Sequence, residues 1–182
     1  MEGRLGASKA RSPKEVTVIR DLLLPEFDQE MASTRRVLER VPAERLDFRP
    51  HPKSMSLQGL LSHVVNIPTW VALTLELPEL DLMPEGKHWE TPQQTDREAW
   101  LKAFDAQAAA ARASIAGADD ARMAELWSLK SQGHVHFTAP KQGVLRSFVL
   151  NHLIHHRAQL TVYLRLRDVP VPALYGPSAD ES

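Results

Sequence analysis

The amino-acid sequence predicts an all-α fold, a four-helix bundle with a short irregular or hairpin insert before the last helix. Three observations carry this. Apolar residues repeat at steps of three and four along four long stretches, the period of a helix with one buried face. Prolines and other turn formers fall between those stretches. Strict apolar alternation, the period of a strand, is confined to Trp127–Phe137. With 182 residues, 43% of them apolar, the chain can bury one core, and residues 14–182 read as one domain.

Residues 1–13 are small, polar and basic and read as a disordered arm. Its cations, with Lys14, have no aromatic residues between them and read as a solvated tail. A first helix is expected from Asp21 to Val41, burying Phe27, Met31, Thr34, Leu38 and Val41, with Arg35 and Arg36 outside and Pro42 as its stop. Ser56 is placed to cap a second helix, Leu57 to Leu77, whose face is Leu57, Leu60, Leu61, Val64, Ile67 and Val71. Pro68 lies inside that pattern and should kink or split it. Glu79–Pro92, rich in proline, reads as a loop. Thr95-x-x-Glu98 has the form of a capping box opening a third helix that ends at Gly117. Trp127 and Leu129 match Val135 and Phe137 across Ser131-Gln132-Gly133, a hairpin pattern. Thr138 then stands as cap of a long last helix reaching Arg167, with Pro140 in its first turn. An extended, proline-containing tail follows.

The charge balance excludes some functions. A net charge of −1 and a pI of about 6.7 give no electrostatic footprint for nucleic acid. No apolar run approaches the roughly 20 residues that span a bilayer. The N-terminus lacks the apolar core of a secretory signal, so a cytoplasmic location is the expectation. There is no cysteine, so any metal ligands must be nitrogen or oxygen.

Chemistry concentrates in Asn151-His152-Leu153-Ile154-His155-His156-Arg157. His152 and His156 are four residues apart, which on a helix stacks their side chains on one face, here within the apolar stripe of Leu145, Val149, Leu153, Leu160, Tyr163 and Leu164. Leaving an imidazole buried without a partner costs about 1–3 kcal/mol. A divalent metal is a partner that such a pair fits, and hydrogen bonding to Tyr163, Gln159 or buried water is the alternative. A catalytic site of this type takes three protein ligands and keeps one position open. His63 is the best third candidate, because outside the last helix only His63 lies in an apolar-patterned helix. His51, His88, His134 and His136 fall in loops or in the polar register of the hairpin. His155 points about 100° away from His156 and fits a supporting or interface position better, with the ligand role in place of His156 left open.

The segment Val149-Leu150-Asn151-His152-Leu153-Ile154-His155-His156-Arg157-Ala158-Gln159-Leu160 with Tyr163-Leu164-Arg165 resembles the last helix of the DinB-like family, also called DinB/YfiT-like metalloenzymes. Leu60-Leu61-Ser62-His63-Val64 resembles that family's first-ligand helix, and the Val-Pro-Ala-Leu-Tyr-Gly-Pro-Ser tail matches as well. The resemblance implies a four-helix bundle, commonly a homodimer, with a metal held by His63, His152 and His156. It also implies chemistry on a small-molecule substrate with a low-molecular-weight thiol, that is, a thiol-dependent S-transferase.

Three neutral imidazoles suit zinc, nickel, iron or cobalt rather than Mg²⁺ or Ca²⁺. A metal-dependent hydrolase is the first alternative, and it wants a general base that the inner faces drawn above do not supply. A non-catalytic metal-binding or stress-response bundle is the second, and a structural metal would want a fourth ligand. Trp70, a heptad after His63, and Tyr163, a heptad after His156, fit either core packing or the wall of a cofactor and substrate site.

Overall fold

The computed structural model describes residues 19–87 and 91–182, so the arm at residues 1–13 and His88 lie outside the described residues. Helix α1, Ile19–Arg40, buries Leu23, Phe27, Met31, Thr34, Val37 and Leu38, the expected stripe with Leu23 and Val37 added and with Val41 buried just past its end. Helix α2, Leu57–Asn66, starts where Ser56 Oγ accepts from the Gly59 backbone N–H at 3.1 Å. The chain then breaks at Ile67–Pro68 and restarts as α3, Thr69–Glu76. The second helix is thus split rather than kinked, since Pro68 has no N–H to donate into the helix ladder.

Three local expectations are corrected. Within the expected loop, Glu79–Asp81 forms a strand, β1. Helix α4, Arg97–Gly117, is capped by Asp96, whose carboxylate accepts from Ala99 N–H at 2.8 Å, so Thr95 makes no capping box. A carboxylate one residue on reaches the third helical N–H and also suits the positive end of the helix. Thr138 is not a helix cap; it lies in a strand, its hydroxyl 2.7 Å from that of Ser128.

After the short helix α5, Asp120–Ala124, the hairpin consists of β2, Leu126–Ser131, and β3, His134–Pro140. Gln132 (φ 50°) and Gly133 (φ 75°) both take positive φ at the tip, the geometry of a two-residue type I′ turn. β2 pairs antiparallel with β3 and parallel with β1, making a three-stranded sheet ordered β1-β2-β3. The protein is therefore mostly helical with a small sheet, where a bundle with an isolated hairpin was expected. The ladder slips between Leu129 and Lys130: Leu129 faces Phe137 while Lys130 faces Val135, which leaves His136 unpaired. Val135 is turned outward by this bulge and is 44% exposed, against the alternation read from the sequence.

The last helix begins with one turn, α6, Lys141–Gly143, and passes through a π-helical segment, Val144–Leu150, into α7, Asn151–Arg165. At the junction Asn151 N–H bonds to Arg146 C=O, five residues back. Val144, Leu145, Val149 and Leu150 are the buried residues of the π segment, and they repeat at intervals of five.

Helix α1 packs against α4 and α7, and α2 against both α4 and α7. A second, smaller core of Leu80, Trp127, Leu129 and Val144 lies beneath the sheet, and Phe148 packs against both cores. Arg157 and Glu30 form a buried ion pair at 2.7 Å between α7 and α1, and Glu30 also accepts from the Tyr175 hydroxyl at 2.7 Å. That pair ties the C-terminal tail to the helices, and Arg36 adds a bond to Ala173 C=O at 2.7 Å.

Candidate metal centre

The packing of α2 on α7 brings His63 against His152 and His156. One ligand nitrogen from each of the three lies within 4.8 Å of the others, and no fourth His, Asp or Glu joins the group among the described residues. His63 Nε2 and His152 Nε2 are 2.8 Å apart. The ring centroids of His63 and His156, and of His152 and His156, are 4.5 Å apart. A tetrahedral metal with bonds of roughly 2.0–2.1 Å holds its ligand atoms about 3.3 Å from one another. The His63–His152 contact falls short of that spacing by a few tenths of an ångström, which a small rotamer adjustment supplies. His155 is exposed and stays outside the group; it only flanks His156, with ring centroids 4.9 Å apart. His134 and His136 are exposed on β3.

The electrostatics favour neutral, ligand-ready rings. Burial, reinforced by His156 and His152, pushes the His63 pKa down to about 4. Burial, with His156 and His155, does the same to His152, also to about 4. Burial lowers His156 as well, opposed by its hydrogen bond to Gln159. Desolvation penalises the charged imidazolium form of each ring, so burial favours the neutral imidazole that a metal ligand needs. Charge type, spacing and protonation state all fit a divalent transition metal.

One contact answers to the Gln159 partner named from the sequence. Gln159 Oε1 lies 2.7 Å from His156 Nδ1. An amide oxygen only accepts, so this contact places the ring proton on Nδ1 and leaves the Nε2 lone pair free. An i, i+3 pair on one helix face is a signal that the sequence does contain. The buried Glu30 and Arg157 were missed, because charged residues inside an apolar stripe are legible only when their partner, here on another helix, is known.

Trp70 and Tyr163 stand on different sides of the triad. Trp70 edges His63 (ring centroids 5.7 Å apart) and His152 (5.0 Å), and stacks on Phe148 at 5.2 Å. With His63 it lines a cavity of about 700 Å³ that also touches Asn66, Leu73, Leu80 and Met83. Tyr163 lines a smaller hollow of about 370 Å³ with Lys53, His156 and Gln159. Its hydroxyl donates to Met55 C=O at 3.0 Å.

The fold has counterparts. A model of the DinB family matches residues 14–182. The uncharacterized protein YrdA of Bacillus subtilis (strain 168) is 44% identical over 39 residues, which is 21% of this chain and 23% of that protein's length. The structure of a DinB-like protein from Bacillus cereus ATCC 10987 superposes with a TM-score of 0.64 at 21% identity, covering 87% of this chain and 98% of that one. A DinB-like protein from Bacillus subtilis, YjoA, superposes with a TM-score of 0.61 at 14% identity, covering 82% and 95%. At these identities the two structures speak for the fold.

Proposed function

The chain belongs to the DinB family, and from that premise we propose that it is a metal-dependent enzyme that transfers a low-molecular-weight thiol to a small electrophile. His63, His152 and His156 hold a divalent zinc, nickel or iron ion, and Trp70 and Tyr163 flank the bound thiol and substrate. The assembly is a four-helix bundle that works as a homodimer, as the family resemblance implies, and the composition argues for a cytoplasmic location. Bound there, the metal supplies positive charge that lowers the pKa of a thiol. The protein's own contribution is to keep three imidazoles neutral, oriented and partly shielded from water. In the overall reaction the thiol sulfur forms a C–S bond, the thiol proton leaves to solvent, and the leaving group departs with the electron pair of the bond that breaks.

The observation that carries this reading is a three-histidine cluster whose His63 lines a cavity of about 700 Å³ with no carboxylate among the described residues that line it. Hydrolysis would want a general base within hydrogen-bond reach. The buried carboxylate among the described residues, Glu30, is already bonded to Arg157 and Tyr175. A structural metal would want a fourth ligand, which the cluster lacks among the described residues. The test is elemental analysis of the purified protein, then a thiol-conjugation assay with and without chelator. Thiol consumption that stops on chelation and returns with metal supports the proposal. Equal rates in both arms refute it.

A further inference from the structure

We propose that the cavity beside Trp70 holds the acceptor of the transferred group, and that it selects a flat, uncharged, apolar molecule. This rests on the thiol-transfer reading above and names the substrate class for it. The cavity, about 700 Å³, falls within the range of small-molecule sites, roughly 300–1,000 Å³. It reaches the triad through His63, so a molecule seated in it lies beside the cluster. Its apolar wall is Trp70, Leu73, Leu80, Leu82 and Met83.

The polar groups of the cavity argue against a charged occupant. No Lys, Arg, Asp or Glu is among the described residues that line it. The Asn66 amide is committed: its nitrogen donates to Ser62 C=O at 2.8 Å and Pro92 C=O at 3.1 Å, and its oxygen accepts from Gln107 at 3.2 Å. The Thr69 hydroxyl donates to Asn66 C=O at 2.7 Å. Away from the triad, an anionic group would therefore leave water with no cationic side chain among the described lining residues and no free donor from Asn66 or Thr69, only the hydroxyls of Thr91 and Ser131, which is unfavourable. The cation that lines either cavity among the described residues is Lys53, and it belongs to the smaller hollow on the His156 side. Flatness follows from Trp70. Phe148 covers one face of the indole, nearly parallel at 15°, so the ring presents its other face or an edge to the cavity. Aromatic rings pack best on such a surface in offset-stacked or edge-on contact.

The test uses two probes of one shape, neutral N-phenyl-1-naphthylamine and its anionic sulfonate 8-anilinonaphthalene-1-sulfonate, titrated into the purified protein. The neutral probe should bind once per chain, at least tenfold more tightly than the anion. Trp70→Leu should weaken it. Met83→Lys, at a partly exposed position that tolerates a charge, should weaken the neutral probe and strengthen the anion. In the conjugation assay the neutral probe should raise KM for the acceptor and leave KM for the thiol unchanged. Equal affinity for the two probes, indifference to both variants in proteins that melt normally, or competition with the thiol would overturn the inference. Metal content is measured on the same samples. Probe selectivity without metal binding would refute the metal-and-thiol reading alone, whereas metal binding without probe selectivity would refute this inference alone.

Discussion

Gln159→Leu should weaken metal binding about tenfold while leaving the fold alone. Gln159 touches the triad through a single 2.7 Å contact to His156 Nδ1, and its side chain is otherwise at the surface. Removing an outer partner of a metal-bound histidine typically costs 10–100-fold in affinity, because the ring loses both its tautomer and its orientation. The exposed position argues for the lower end, since water can replace the lost acceptor. Tenfold corresponds to about 1.4 kcal/mol. The apo protein should change by no more than about 0.5 kcal/mol, as for other surface substitutions. Gln159→Glu keeps an acceptor and adds a negative charge, so it should bind metal at least as well as the parent. The assay is Co²⁺ titration followed by visible absorption, with urea melts of the three apo proteins alongside. Unchanged Co²⁺ affinity in Gln159→Leu would refute the positioning role. So would a loss of affinity in Gln159→Glu as large as that in the leucine variant.

Other substitutions probe the remaining links. His152→Ala should abolish tight metal binding, whereas the double variant His134→Ala/His136→Ala should retain it, as read by metal content after dialysis; the reverse pattern would move the site to the hairpin. The apo protein should lose stability as pH falls from about 6.5 to about 4. His63 and His152 are held near 4 in the folded chain against a usual 6.5, so across that window the unfolded chain binds more protons. Above pH 7 the curve should be flat on this account, and a His63→Gln/His152→Gln variant should show a shallower decline in urea melts at pH 7.5 and 5. Arg157→Met strands Glu30 in the core and should cost about 3–5 kcal/mol, while the double variant with Glu30→Met should recover most of it. Equal melting points for the single and double variants would show that the buried pair is not coupled.

Much of the candidate site was legible because its signals are local. The i, i+4 spacing of His152 and His156 depends only on helix geometry, and His63 stood out by lying in a helix of apolar pattern. Ser56 as a cap and Pro68 as a break were equally readable, since each acts on the backbone within one turn. The capping box failed because Thr95 and Asp96 are adjacent candidates, and backbone entry angle decides between them.

The sequence by itself determined the helical stretches, the hairpin turn and the identity of the three histidines, because periodicity, turn chemistry and residue type act over a few positions. Tertiary structure decided the rest. The strand β1 has three residues, too few for a pattern, and exists because β2, more than forty positions later, supplies parallel partners at Ser128, Leu129 and Lys130. The π segment is a hydrogen-bond register, chosen by packing of Val144, Leu145, Val149 and Leu150 against two cores at once. Glu30 and Arg157 are buried only because α1 and α7 meet and neutralise one another's charge. The cavity beside Trp70 arises where α2 and α3 face β1, a space that belongs to no single element and so leaves no periodic trace in any one of them.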